Sequence, residues 1–251
     1  MQRPPYGSWV EMTGLMPGRS EPFIGFVYLD AKAGPSAKGG FRGDPQMRDL
    51  PTITVRLGPQ PMRLLTDQER AALHLPDQPS WLVHYGPQPA MHALWLEDPR
   101  LAGRFHPDYP DDLEVVVHDG EPRRTGRQPE LCWVRLEQVV GTLGKASVYR
   151  GRLLNQVNQL TTIRQGEMLN VLVSKGLKYP IRATDDYLAE RKHWKLQPCD
   201  KCGADEALDP PSVMGRTRFP NLNPAEVMQA FSAFCSFCGG TQVLEALPPT
   251  N

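Results

Sequence analysis

Four of the five cysteines fall into two knuckles of one form, Cys199-x-x-Cys202-Gly203 and Cys235-x-x-Cys238-Gly239, with 32 residues between them. In a Cys-x-x-Cys turn the two thiolates converge on one side, and the glycine behind them accepts a backbone angle that is costly for other residues. Two facing knuckles complete a tetrahedral shell of four sulfurs, which favours Zn²⁺ over oxygen-seeking ions. The spacing therefore predicts one structural zinc held by Cys199, Cys202, Cys235 and Cys238. With every ligand position filled by cysteine there is no place for a catalytic water. A redox pair would need one Cys-x-x-Cys opening a helix; here the first knuckle follows Pro198 and the second follows an expected helix.

Other chemistry-bearing residues are more scattered. Arg123, Arg124 and Arg127 form a basic loop after Asp119-Gly120, read as a solvated turn or as a contact for phosphate or nucleic acid. His106, Asp108, Asp111, Asp112, His118 and Asp119 are numerous enough to raise a second metal or acid–base site. Asp111 and Asp112 are neighbours, however, and in an extended chain they point to opposite faces. The run Gly141-Thr-Leu-Gly144-Lys145-Ala146 lacks the spacing and the hydroxyl of a phosphate loop, and neither a Gly-x-Ser-x-Gly elbow nor a His-Glu-x-x-His helix is present. No residue set specifies an enzyme.

The elements that must position these residues are mostly strands. Residues 1–50 are rich in Gly and Pro, with an apolar strand at 23–29 and a loose stretch at 33–43. Alternation predicts a strand at 52–57, and Thr66 with Glu69 forms a capping box opening a short helix to Leu75. Further strands are expected at 81–85, 91–96, 113–117, 131–140, 146–154 and 168–173. A helix is expected from Thr184, with Asp185 and Asp186 in its first turn. Asn223, Pro224 and Glu226 predict a second helix start, with Val227, Ala230, Phe231 and Phe234 on one face, delivering Cys235 at its end. Cys132, the fifth cysteine, sits in the apolar run 131–134 and reads as a small buried hydrophobe.

Composition bounds the whole. The 251 residues include 26 Pro and 22 Gly, which disfavour long helical bundles, and the 28 basic and 28 acidic side chains cancel, so no global field steers the molecule to nucleic acid or an anionic membrane. The start of the chain carries no apolar leader, no stretch approaches a bilayer span, and the sparse paired cysteines fit a reducing compartment, so a cytoplasmic location is expected. The fold class expected is α+β, predominantly antiparallel β, as a small sheet or partly open barrel followed by a zinc ribbon. The expected divisions are an N-terminal segment 1–50, a β-rich domain 51–195 and the zinc module 196–251.

The segment from Pro129 to Leu136, followed by Tyr149-Arg150-Gly151-Arg152-Leu153-Leu154-Asn155 and by Arg164-Gln165-Gly166-Glu167, resembles the YegJ-like family of bacterial domains of unknown function. The likeness covers about 110–185: a Glu-x-x-Trp-Val strand, a Tyr-x-Gly-x-Leu-x-Asn strand and a turn in which Glu167 replaces the family's Asp. It implies a small α+β domain without a catalytic residue set. By analogy with related families, it implies a bacterial immunity protein that neutralises a toxin. A protein partner is thus the first expectation, and a nucleic-acid-associated regulator using the ribbon and the Arg123–Arg127 loop is the alternative. The residues carry their own reading beside it: Trp133 and Val134 as core, Gly151 as a bend or bulge, Gly166 as a turn.

Overall fold

The computed structural model describes residues 4–30, 32–43, 53–85, 88, 94–221 and 228–248. It is mostly antiparallel β with a few short helices, and the chain divides into two compact units. Residues 1–93 with 106–110 make the first and residues 94–105 with 111–251 the second. The breaks expected after residues 50 and 195 both fall inside a unit. Among the described residues no helix is long and apolar enough to cross a membrane.

The first unit is a five-stranded sheet of β1 (Trp9–Met12), β2 (Phe23–Asp30), β3 (Gly34–Phe41), β4 (Ile53–Arg56) and β5 (Met62–Leu64), in the order β4-β3-β2-β1-β5. Its central strand β2 is buried on both faces, and the period of two sorts its side chains. Phe23, Val27 and Leu29 join Val10, Met12 and Phe41 in one cluster, while Ile24, Phe26 and Tyr28 join Trp9, Leu65 and Leu82 in another.

Residues 33–43, expected to be loose, include strand β3. Its glycines are a packing device: a Cβ at Gly39 would lie 1.8 Å from the Ile24 carbonyl oxygen, so only glycine lets β3 approach β2 at that register. The capping box is present, with Thr66 and Glu69 bonded reciprocally at the start of α1 (Asp67–Ala72). The strand expected at 81–85 is instead a 3₁₀ turn, Ser80–Tyr85. That turn sets Trp81 and Tyr85 on Tyr28, with ring centroids 5.1 and 4.6 Å away, a shared contact that a strand would prevent by spacing residues four apart by about 13 Å. Likewise Leu94–Glu97 is a 3₁₀ turn, while residues 91–93 of the strand expected there lie outside the described residues.

Strands β6 (Phe105–His106) and β7 (Tyr109–Val117) are shared in sequence between the two units. After α2 (Pro122–Thr125), the second unit continues through β8 (Glu130–Leu143), β9 (Ala146–Leu153), β10 (Met168–Val173) and β11 (Ile181–Ala183). Neighbours in the order β11-β10-β9-β8-β7 pair antiparallel, and β11 also pairs in parallel with β7 through Ile181 and Val116, so the pairing runs round in a ring. The strands expected at 113–117, 131–140, 146–154 and 168–173 lie within or on these elements. Val134 is core, Trp133 is half-buried on the opposite face, and Cys132 is buried with its thiol pushed up by burial. Gly151 sits beside a register shift between Leu136 and Gln138, where a Cβ would meet the Arg135 carbonyl oxygen at 2.7 Å.

Thr184 caps α3 (Asp185–Arg191) as its spacing predicts, accepting from the Tyr187 N–H at 3.1 Å. The chain then forms β12 (Trp194–Leu196), α4 (Pro211–Arg218), β13 (Ala230–Phe234) and β14 (Thr241–Ala246), giving a three-stranded sheet in the order β12-β14-β13. The helix expected to run into Cys235 is not formed over 230–234. Residues 223–227 lie outside the described residues, and 230–234 are strand, with Phe231 and Ala233 buried and Ala230, Ser232 and Phe234 outward. Apolar residues at 230, 231 and 234 fit a helical face while those at 231 and 233 fit a strand face, and pairing with β14 decides between them. One core joins this sheet to the preceding strands: Val148, Leu172, Leu177 and Ile181 cluster with Leu196, Leu208, Met214, Phe231 and Leu244.

Candidate metal centre

The first knuckle begins where β12 ends and the second fills the turn between β13 and β14, so the pairing of β12 and β13 on either side of β14 brings the knuckles face to face. The four thiol sulfurs lie within 4.8 Å of one another. Across the knuckles Cys199 Sγ is 3.5 Å from Cys238 Sγ, and Cys202 Sγ is 3.7 Å from Cys235 Sγ. A tetrahedron of sulfurs about 2.3 Å from a central ion has edges of about 3.8 Å. All four are free thiols.

Each knuckle is built the same way. Gly203 N–H donates to the Cys199 carbonyl at 2.9 Å and Gly239 N–H to that of Cys235 at 3.0 Å, with φ of +74° and +71° at the two glycines. These angles are the reason for glycine after each second cysteine. Backbone N–H groups then turn inward to the sulfurs, Lys201 to Cys199 at 3.5 Å, Phe237 to Cys235 at 3.5 Å and Gly240 to Cys238 at 3.4 Å. Gly240 is a second fitted glycine: a Cβ there would meet Cys199 Sγ at 2.8 Å. Its signal in the sequence is the doubled Gly239-Gly240.

The electrostatics call for a cation. Burial pushes the Cys199 thiol up, but the N–H groups of Cys202 and Lys201 outweigh it and bring the thiol down to about 7. At Cys235 burial wins over the N–H groups of Phe237 and Cys238 and holds the thiol at about 12, and at Cys202 burial again raises it. Thiolates packed this closely repel one another, so a cation held among them would ionise the set and release protons on binding.

The frame around the knuckles is polar and buried. Arg123 Nε donates to Asp209 Oδ2 at 3.0 Å, its backbone N–H to Oδ1 at 3.0 Å, and its Nη2 to both the Phe234 carbonyl and Ser236 Oγ, tying α2 to the second knuckle. Burial pushes the Asp209 carboxyl up, opposed by the Arg123 N–H and guanidinium. Gln242 Nε2 donates to the carbonyls of Ala204 at 2.9 Å and Glu206 at 3.1 Å, clasping the first knuckle to β14. Glu206 in turn accepts from Tyr187 and Arg191 of α3 at 2.5 and 2.8 Å. Asp209 and Gln242 carry no motif, and only the fold reveals them.

Residues singled out elsewhere do not converge. Arg123 pairs with Asp209, Arg124 with Glu121 and Arg127 with Asp119 at 3.9 Å, three carboxylates in place of one shared anion site. Asp112 holds Arg135 with both oxygens, at 2.7 and 3.0 Å, and Asp111 accepts from Trp95 Nε1 at 2.9 Å. In the first unit Asp108 pairs with Arg56 at 2.6 Å, and its N–H donates to His106 Nδ1 at 3.0 Å. His118 is buried between Gly120 N–H, which donates to Nδ1 at 3.2 Å, and the Arg182 carbonyl, 2.7 Å from Nε2. Burial takes this imidazole down to about 4, so it is neutral and structural near pH 7. Among the described residues the four cysteines are the one cluster of ligating side chains that could hold a metal ion. No family model, curated protein or solved structure matches the chain, so the centre rests on its own geometry.

Proposed function

We propose that the C-terminal sheet is a zinc ribbon whose tetrathiolate centre is structural, and that the chain works without catalysis, by binding another protein. The observation that carries this reading is the convergence of four free thiols from two like knuckles, with cross-knuckle separations of 3.5 and 3.7 Å close to a zinc tetrahedron. Four sulfurs leave no open coordination position, so the metal cross-links the sheet and activates no water. In support of a binding role, the aromatic side chains Phe219, Phe234 and Phe237 are exposed on or beside this sheet, with the Arg218 guanidinium over the first two at 5.6 and 5.5 Å. The nucleic-acid alternative loses support from the basic loop, because each of its arginines is matched to a carboxylate. Toxin neutralisation is the most concrete version of protein binding, and it rests on the resemblance over 110–185.

The test is to purify the tagged chain from its native cells at high salt, with and without nuclease, and to measure metal and co-purifying macromolecules together. About one zinc per chain with a stoichiometric, salt-resistant protein supports the reading. Nucleic acid that is lost with salt supports the regulator instead, and absence of zinc from reduced protein removes the centre.

A further inference from the structure

The four thiols are not equivalent. Cys199 and Cys235 are each 4% exposed and belong to the core, whereas Cys202 is exposed and Cys238 half-buried. A cavity of about 300 Å³ is lined by the two outer cysteines, Cys202 and Cys238, with Leu177, Tyr179 and Phe237. Its volume is ample for a small polar oxidant. The exposed sulfur also has its reaction partner in place, since Cys202 Sγ lies 3.7 Å from Cys235 Sγ on the opposite knuckle. A disulfide spans about 2.05 Å, so closing one requires the two sulfurs to approach by less than 2 Å once the ion between them is gone.

We propose that Cys202 is an oxidation site through which hydrogen peroxide empties the centre, closing a Cys202–Cys235 disulfide and expelling the metal. This rests on the reading that the four thiols hold zinc. In the first step the Cys202 thiolate attacks the peroxide, the O–O bond breaks, the sulfur keeps one oxygen as sulfenic acid and the other leaves as water after taking up a proton. In the second, the Cys235 thiolate forms the S–S bond and displaces the sulfenic oxygen, which also leaves as water with a second proton. Two thiolates have then lost two electrons, the peroxide has gained two, and two waters result. The metal keeps only Cys199 and Cys238 and dissociates. The new bond joins the same two knuckles that the metal joined, so β12 and the β13–β14 turn stay cross-linked, and a dithiol reductant reopens the site by exchange.

The experiment uses the full chain carrying Cys132→Ser, so that the four knuckle thiols are the only ones. Metal is measured before oxidant is added, and absence of zinc at that point counts against the centre itself, not against its oxidation. Hydrogen peroxide is then added. The result expected is loss of about one zinc per chain to a chromophoric chelator, a mass decrease of about 2 Da, a Cys202–Cys235 peptide by mapping, early trapping of sulfenic acid at Cys202 by dimedone, and recovery with dithiothreitol and zinc. Zinc retained until the thiols reach sulfonic acid overturns the proposal. So does a first disulfide within one knuckle, or first trapping at Cys199.

Discussion

The two ends of the chain reach order by different means. Around β2 in the first unit, seven of eight residues are buried and both faces are hydrocarbon and aromatic. The C-terminal sheet has short strands of three to six residues, and what surrounds its knuckles is sulfur, the Arg123–Asp209 pair and the Gln242 clasp. A two-sided apolar strand is stabilised through area removed from water; the three-stranded sheet buries one face in the core it shares with the preceding strands, and its knuckle turns are held by polar ties and by the cross-link that a metal would supply. Each part is therefore vulnerable in its own way: the first unit to loss of volume, the C-terminal sheet to loss of one knuckle cysteine.

The largest expected effect follows from Cys235→Ser, which removes a buried ligand. Metal should be lost and the C-terminal sheet destabilised by more than about 4 kcal/mol, read as early loss of hydrogen-exchange protection in β12, β13 and β14 around the Trp194–Phe231 contact at 5.3 Å. The first unit should keep its own transition. A single unchanged transition would break the comparison.

Phe23→Ala reverses it. Removing a fully buried ring from the first unit should cost about 3–5 kcal/mol in urea unfolding while the metal content of the chain is unchanged. Loss of metal in this variant would show that the two ends do not stand apart.

His118 sharpens the comparison through pH. Its folded value of about 4 lies below the ordinary 6.5, so the unfolded chain takes up a proton that the native chain refuses. Stability is full above about 6.5 and should fall by about 3 kcal/mol as pH drops to 4. Zinc also leaves in acid, so the quantity to measure is the difference in pH slope between the parent and His118→Asn, which should show the parent as the steeper. Equal slopes would exclude His118 as a source of acid lability. The smallest effect is at α1, where Thr66→Ala removes the cap of a helix with no buried residue and should cost about 1 kcal/mol in the first unit alone, by the same unfolding curve.

Much of this was legible in the sequence, and unevenly so. The knuckles, the strands from 113 to 173 and the caps at Thr66 and Thr184 were readable because each depends on residues close in sequence. Residues 81–85 and 230–234 were not, because short apolar runs satisfy two periodicities and a distant neighbour decides: Tyr28 in one case, β14 in the other. Residues 34–41 looked loose for their glycines, yet Gly39 is there to admit the Ile24 carbonyl. At the centre the convergence of the four cysteines was plain, but Asp209, Gln242 and Gly240 were not, since their roles exist only once residues 36 or more positions apart are brought together.

The most direct test of the account is X-ray absorption at the zinc edge, with elemental analysis, on natively purified reduced protein. The account predicts about one zinc per chain with four sulfur neighbours at about 2.3 Å and no nitrogen or oxygen in the shell. Metal well below one per chain, or a shell containing light atoms, would contradict it.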